Sequence, residues 1–135
     1  MADRLHSAAI RLLRRLRAQD RASGVGPAQL SALSVLVFAG PRSLKELAEA
    51  EQVRPPTMSR IVAGLRRSGL VRAEAVGADR RKLRLVPTPR GVRVMQQGRR
   101  RRVEQLARAL RSLPRDEVRR LGQAAETIFA LVKRI

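Results

Sequence analysis

Apolar residues recur at three- and four-residue intervals through most of the chain, which is the spacing of amphipathic helices. The first such segment carries Leu5, Leu12 and Leu16 on one side and is expected to end before Ser23. A second begins with Pro27 in its first turn and stops at Gly40, as the positional preferences of proline and glycine indicate. Because its apolar residues cover most faces, this helix is predicted to be central.

Two short helices are predicted next. Ser43, followed three residues later by Glu46, has the capping-box pattern that begins a helix. The following helix is expected from Pro56 to Ser68, since proline is tolerated in a first helical turn, where its missing N–H has no intrahelical partner. Gly69 ends it.

The periodicity then changes to two, which is typical of strands. Residues 70–76 and 82–86 are predicted to form a hairpin around a turn at 77–81. Thr88 and Pro89 have the pattern of an N-cap and a first helical position, so a long helix is expected from there to Leu113. Pro114 restarts the chain into a last helix.

The helices at the two ends carry more apolar surface than one small module would be expected to cover. Their three-four spacing predicts a seam for a partner helix, and a homodimer built from both termini would cover it. Packing of these helices back onto their own chain is the alternative. The residues predicted to lie in the dimer interface are Leu5, Leu12, Leu16, Leu113, Leu121, Ile128 and Val132.

Composition narrows the function. The net charge is +19, from 30 Lys and Arg against 11 Asp and Glu, and almost all the cations are arginine. This favours a polyanionic partner, because guanidinium groups match phosphates and guanine edges in two-point contacts. With no cysteine and one histidine, His6, no metal site, cofactor site or catalytic residue is predicted, and an enzyme is not expected. The longest apolar run is too short to span a bilayer and no signal peptide opens the chain, so we expect no membrane partner and a cytoplasmic protein.

The order of three helices, a tight turn and a basic hairpin fits a winged helix-turn-helix. The second helix of that motif inserts its N-terminal end into the major groove, where short polar and arginine side chains read bases. Thr57, Ser59 and Arg60 are of the right type, and Arg60 can bind guanine at O6 and N7. No acid interrupts the arginine series between Glu51 and Glu74.

The predicted hairpin tip is compact and cationic, and it suits the negative potential of a narrow minor groove. It contains Asp79, Arg80, Arg81 and Lys82. Two roles for Asp79 are open: it orients an arginine through a charge-assisted bond, or it is a turn residue that binds its own backbone.

The stretch from Ser43 to Gly91 resembles the multiple antibiotic resistance regulator (MarR) family, above all in PPTMSR at 55–60 and DRR at 79–81. The resemblance implies a mainly α fold with a small β-hairpin wing, and bacterial cytoplasmic homodimers that bind pseudo-palindromic double-stranded DNA, usually as repressors and often released by a small-molecule effector. It makes Arg81 the residue that enters the minor groove. The predicted DNA contacts are Arg54, Pro56, Thr57, Ser59, Arg60 and Arg67 in the recognition helix, and Asp79, Arg80, Arg81 and Lys82 in the wing. Ser43, at the start of a helix, is predicted to contact a phosphate.

The predicted organisation is a single domain over residues 1–135, with a winged helix-turn-helix lobe at 27–88 and a dimerisation region formed by 1–22 and 89–135. Three positions depart from the family pattern: Arg54 where a capping Ser or Thr is common, Gln52 where the turn often has Gly, and Pro87 before Thr88, where the second strand is expected to end early or lie at an unpaired edge. A weakly specific, architectural nucleoid DNA-binding protein is the alternative function.

Overall fold

The computed structural model describes residues 1–134, without the side chain of Gln19. Six α-helices and one antiparallel hairpin follow in the predicted order. Their bounds are α1 Ala2–Arg17, a 3-10 helix Ala18–Ser23, α2 Pro27–Ala39, α3 Leu44–Ala50, α4 Pro55–Arg67, β1 Val71–Val76, β2 Asp79–Pro87, α5 Pro89–Leu110 and α6 Arg115–Val132. The mainly α fold with a small hairpin is therefore confirmed.

The buried core is built around α2, as its apolar faces predicted. Leu33 and Leu36 of α2 are fully buried, and the helix packs against α4, α5 and β2. Met58 and Leu65 complete the core from α4, and Met95 from α5. Gly91 is needed where α5 meets this core, since a Cβ there would lie 2.2 Å from the carbonyl oxygen of Leu70.

The predicted caps at Ser43 and Thr88 are both formed. Ser43 Oγ accepts from the Glu46 N–H at 3.2 Å, and the Ser43 N–H donates to Glu46 Oε2 at 2.7 Å. That backbone hydrogen bond, with the Ser43 hydroxyl and the charge of Arg42, lowers the pKa of Glu46. Because the folded pKa is depressed, the cap contributes its stability at neutral pH and loses it as the pH falls through that pKa.

Helices α3 and α4 end in the same hydrogen-bonding motif, but with different residues. After α4, Gly69 N–H donates to Arg66 O and Leu70 N–H to Leu65 O, and Gly69 has φ +69°. After α3, Gln52 takes the equivalent position with φ +55°. Such a left-handed residue closes a Schellman motif and is usually glycine, so Gln52 carries the strain of a side chain in this conformation.

We expect Gln52→Gly to raise the free energy of unfolding by about 0.5 kcal/mol, because glycine removes the left-handed penalty but adds entropy to the unfolded chain. Urea denaturation measures it. The matched control is Gly69→Gln, which should lower stability because it introduces the same strain at the end of α4. A Gln52→Gly protein that is less stable than the original would contradict this account.

The hairpin differs from the predicted one at its tip. Residues from Val71↔Pro87 to Ala75↔Leu83 pair in one register, and the next pair is Val76↔Asp79. Only Gly77 and Ala78 turn the chain, and Arg80, Arg81 and Lys82 are extra residues on β2 that have no partner on β1. Such a bulge bends its strand and re-aims side chains. Pro87 is paired with Val71, so the expectation that the second strand ends early is wrong.

The terminal helices are uncovered in the single chain. Every residue of α6 is exposed, and α1 has no buried residue. Helix α5 ends at Leu110 rather than at the predicted Leu113, since residues 111–113 form a turn before Pro114. Within the described residues no single helix is long and apolar enough to cross a membrane. One bent pair of helices, Ala2–Ser23 with Pro27–Ala39, has the length and composition of a span, and nothing else indicates one.

Candidate nucleic-acid interface

Helix α4 separates its packing residues from the predicted DNA-contacting ones. Met58, Val62 and Leu65 face the core. The side chains predicted to contact DNA all lie on the exposed side, which is what a helix entering a groove requires. They are Arg54, Pro56, Thr57, Ser59, Arg60 and Arg67.

Although Arg54 provides no side-chain cap, few backbone N–H groups at the start of α4 need one. Arg54 makes no side-chain capping bond, but the first two helical residues are Pro55 and Pro56. Because proline has no N–H, Thr57 carries the only backbone donor among the first three helical positions. The first three helical positions of α4 can therefore lie against DNA with a single free N–H, and the arginine side chain is not needed for capping.

The arginines of α4 are available for contacts. Within residues 1–134, none of Arg54, Arg60, Arg66 and Arg67 forms an ion pair with a carboxylate. Arg72 is different, because it pairs with Glu74 of the same strand, and Glu74 also contacts Arg84 across the hairpin. Arg72 belongs to the arginine series between Glu51 and Glu74, but its pairing with Glu74 sets it apart from the arginines of α4.

Of the two roles considered for Asp79, the wing tip shows the bond to its own backbone. Its Oδ1 accepts a hydrogen bond from the Arg81 N–H at 3.0 Å and lies 3.7 Å from Arg81 Nε. The first contact has hydrogen-bond geometry, whereas the second is too long for one. Asp79 therefore fixes the backbone of the bulge mainly through the Arg81 amide, and the Arg81 side chain stays 97% exposed.

Ser43 lies beside the wing rather than beside α4. Ser43, Arg81 and Lys82 line one open groove of about 630 Å³ between the start of α3 and the hairpin. Its hydroxyl oxygen accepts the Glu46 N–H in the capping box. Three further cations that sequence reasoning missed line this groove, namely Arg42, Lys45 and Arg84. The bridge of Arg42 to Leu85, with Leu85 N–H donating to Arg42 O at 2.6 Å, joins the two walls.

A second cavity lies where α1 and the 3-10 helix meet α2 and α5. It measures about 460 Å³ and has Leu30, Val94 and Met95 among its apolar lining. Five arginines line it with one acid, Asp20, which pairs with Arg102. Arg101 is another of the five, and its Nε is buried without a hydrogen-bond partner among the described residues. The five arginines that line the cavity are Arg14, Arg17, Arg21, Arg101 and Arg102.

A helical lobe with an uncapped, arginine-bearing recognition helix and a cationic hairpin defines a winged helix-turn-helix protein. The MarR family pattern matches residues 23–82. An HTH-type transcriptional regulator of Mycobacterium tuberculosis is 37% identical over 132 residues, which cover 98% of this chain and 92% of the relative. The chain therefore belongs to the MarR family, and it is a transcriptional regulator rather than an enzyme.

Solved structures agree on the fold. A transcriptional regulator from Thermotoga maritima superposes with a TM-score of 0.86 at 23% identity, covering 98% of this chain and 94% of its own. A mutant of MepR from S. aureus bound to an oligodeoxyribonucleotide has a TM-score of 0.73 at 15% identity, with 97% and 96% covered. Both extend the likeness beyond the winged lobe to the terminal helices.

Proposed function

We propose that this protein is a sequence-specific regulator that binds a pseudo-palindromic DNA operator as a homodimer and represses transcription from it, in the bacterial cytoplasm and at the nucleoid. The observation that carries the proposal is the exposed, unpaired end of α4, with Thr57, Ser59 and Arg60, in the same lobe as the cationic wing tip. The structure of MepR with an oligodeoxyribonucleotide supports it by analogy of fold.

The division of labour follows from the chemistry of each group. Arg60 would form the two-point contact to guanine, and Thr57 would bond a base or touch a thymine methyl in the major groove. Arg54 and Arg67, at the two ends of α4, would hold the phosphates on either side, with Ser43 contacting phosphate near the wing. Arg81 would enter the adjacent minor groove.

The wing role gives a prediction about sequences outside the half-sites. We expect Arg81→Ala to weaken binding most where A·T pairs flank the major-groove contacts, because the narrow groove of such tracts concentrates negative potential. Binding to operators with A·T and G·C flanks is compared. Arg80→Ala is the control, since it removes another exposed cation of the same bulge. A loss that is the same for both flanks would remove the minor-groove role.

The dimer is supported by what the single chain leaves uncovered. Exposed fractions are 49% for both Leu12 and Leu121 and 59% for Val132. Large apolar side chains exposed along a helix face are typical of an interaction site. Leu5, Leu16, Leu113 and Ile128 complete the proposed interface, which would set two recognition helices about one DNA turn apart.

The arginine-lined cavity supports an effector with a carboxylate. A bound carboxylate would supply the acceptor that the buried Arg101 Nε lacks, and the apolar wall would hold the rest of the ligand. Because α1, α2 and α5 all line the cavity, a ligand there would change how the lobe sits on the terminal helices. That would alter the spacing of the two lobes on the operator.

We expect octanoate and benzoate to release the protein from its operator, and Arg101→Leu to raise the concentration required by about tenfold, the value of one hydrogen bond to a charged group. Isothermal titration and DNA release are measured together. Arg99→Leu is the control, because Arg99 is exposed and does not line the cavity. Equal behaviour of the two variants would contradict a carboxylate site.

The test of the whole proposal is selection of binding sites from random duplex DNA at roughly 150 mM salt, where nonspecific phosphate attraction is weakened. The proposal predicts an inverted repeat with half-sites about one helical turn apart. Retention of DNA without a common motif would instead favour a weakly specific, architectural nucleoid protein.

A further inference from the structure

Most of the positive charge lies outside the winged lobe. Residues 1–22 and 89–135 carry 19 Lys and Arg against six Asp and Glu, a net charge of +13. Residues 23–88 carry 11 against five, a net charge of +6. The lobe that is proposed to read the operator therefore carries less than a third of the net positive charge.

Part of this charge forms a stripe along α5. Arg93, Arg100 and Arg108 of α5, and Arg111 at its C-cap with helical backbone angles, are exposed and share one face with Gln97 and Glu104, at three-four spacing. Within the described part of the chain, none of these four guanidinium groups forms an ion pair. This arginine stripe extends about 27 Å along the helix axis, which is about eight phosphate spacings on one DNA strand.

The proposed dimer would leave the arginine stripe in solvent. The opposite face of α5 carries Gly91 and Met95, which are buried in the core. Farther along, the apolar residues Val103, Leu106 and Leu110 continue on that opposite side toward α6. A partner chain seated on the apolar residues would not cover the arginines.

We propose that the arginine stripe of α5 binds the phosphate backbone of a second DNA duplex while α4 and the wing hold the operator, so that the dimer bridges two DNA segments. The inference rests on the proposed operator binding. A second duplex suits the surface better than a continuation of the first, because a duplex with a persistence length of about 150 bp resists bending from the lobe onto α5. An anionic membrane suits it less, since the apolar face that would insert is buried in the core at Gly91 and Met95, and its continuation toward α6 would be covered by the partner chain in the proposed dimer.

A two-duplex capture experiment tests this. A short operator duplex is fixed to beads, saturated with protein and washed, and a fluorescent random-sequence duplex is added at roughly 100 mM salt. We expect the original protein to capture the second duplex. A variant with Arg93, Arg100, Arg108 and Arg111 all changed to Gln should keep operator binding and capture about tenfold less, with the log–log salt slope of capture reduced by about 3 to 4.

Two further variants separate phosphate contact from other causes. Changing the same four arginines to Lys should restore capture, because the positive charges remain. Changing Arg11, Arg15, Arg115 and Arg119 to Gln removes the same charge from exposed positions of α1 and α6, and capture should stay close to the original. Undiminished capture by the four-Gln stripe variant, or none by the original protein on its operator, would overturn the proposal.

Failure of operator binding would be a separate result. It would appear in the first step of the same experiment, before the second duplex is added, and would count against the proposed function. With a random duplex on the beads instead of the operator, nonspecific attraction loads the protein, and the stripe variant should still capture less than the original. Binding of the original protein to phosphatidylserine vesicles, but not to the second duplex, would also overturn the inference.

Discussion

Changing both Leu121 and Ile128 to Glu should convert the protein to a monomer and weaken operator binding by about 10³-fold or more, to the level of its nonspecific binding. Leu121 is 49% exposed and Ile128 is 41% exposed in the single chain, and they lie on one face of α6 at 3.6-residue periodicity. In a two-fold dimer each change occurs twice, so four apolar side chains lose their burial at about 1.5 to 3 kcal/mol each. Four carboxylates would also have to be desolvated, which costs several kcal/mol per ion.

Loss of DNA binding follows from geometry. A single winged lobe reads one half-site, and tight binding needs two recognition helices held about one DNA turn apart. The measurements are sedimentation equilibrium for the oligomeric state and binding to the selected operator. Because every residue of α6 is exposed in the single chain and the core contains none of them, the lobe itself should stay folded, which circular dichroism would check.

The matched control places the same charges on the other face of α6. Gln123 and Ala130 are exposed and lie about half a helical turn away from Leu121 and Ile128. Changing both to Glu should leave the dimer and operator binding intact. If the Leu121 and Ile128 variant remains a dimer, or binds the operator fully as a monomer, the dimer proposal is wrong.

The helices of this chain could be predicted because their signals are local. Pro27 and Gly40, the Ser43 and Glu46 box, and Thr88 before Pro89 each act within one helical turn, and the structure has all of them. The central place of α2 was predictable for a different reason. A helix that is apolar on most faces can remove those faces from water only if other elements surround it.

The wing could be predicted only in outline. Alternation indicates two strands but does not fix their register. The three residues Arg80–Lys82 have no partner on β1, and this bulge changes which side chains project at the tip. The pairing of Arg84 with Glu74, and the bridge from Arg42 to Leu85, depend on residues brought together across the sheet. A count of cations along the sequence therefore overstates how many are free in the lobe.

Local sequence signals also could not predict where α5 ends or which surface covers α6. The apolar spacing through Leu113 predicts helix to that point, but the chain turns after Leu110 so that Pro114 can begin α6. The same spacing predicts a seam without saying which surface fills it. In the single chain nothing in the described residues covers α6, so its partner has to be established by the oligomeric state.

The second large effect concerns base reading by Arg60. We expect Arg60→Ala to cost about 1 to 3 kcal/mol at the selected operator and much less on random duplex DNA, because a two-point contact to guanine O6 and N7 exists only in the correct register. Arg60 is exposed near the start of α4 and is not in an ion pair within the described residues, so the change should leave folding intact. Equilibrium binding to both DNAs at one fixed salt concentration measures it.

Two neighbouring changes make the result specific. Arg67→Ala removes an equally exposed arginine from the last turn of the same helix, where a phosphate contact is proposed, and it should weaken operator and random DNA alike while lowering the salt slope by about 1. Arg60→Lys keeps the charge but loses the planar two-point geometry, so it should keep nonspecific affinity and lose much of the preference for the operator. If Arg60→Ala weakened binding to the two DNAs equally, Arg60 would be a phosphate contact, and the N-terminal end of α4 would no longer be the base-reading surface.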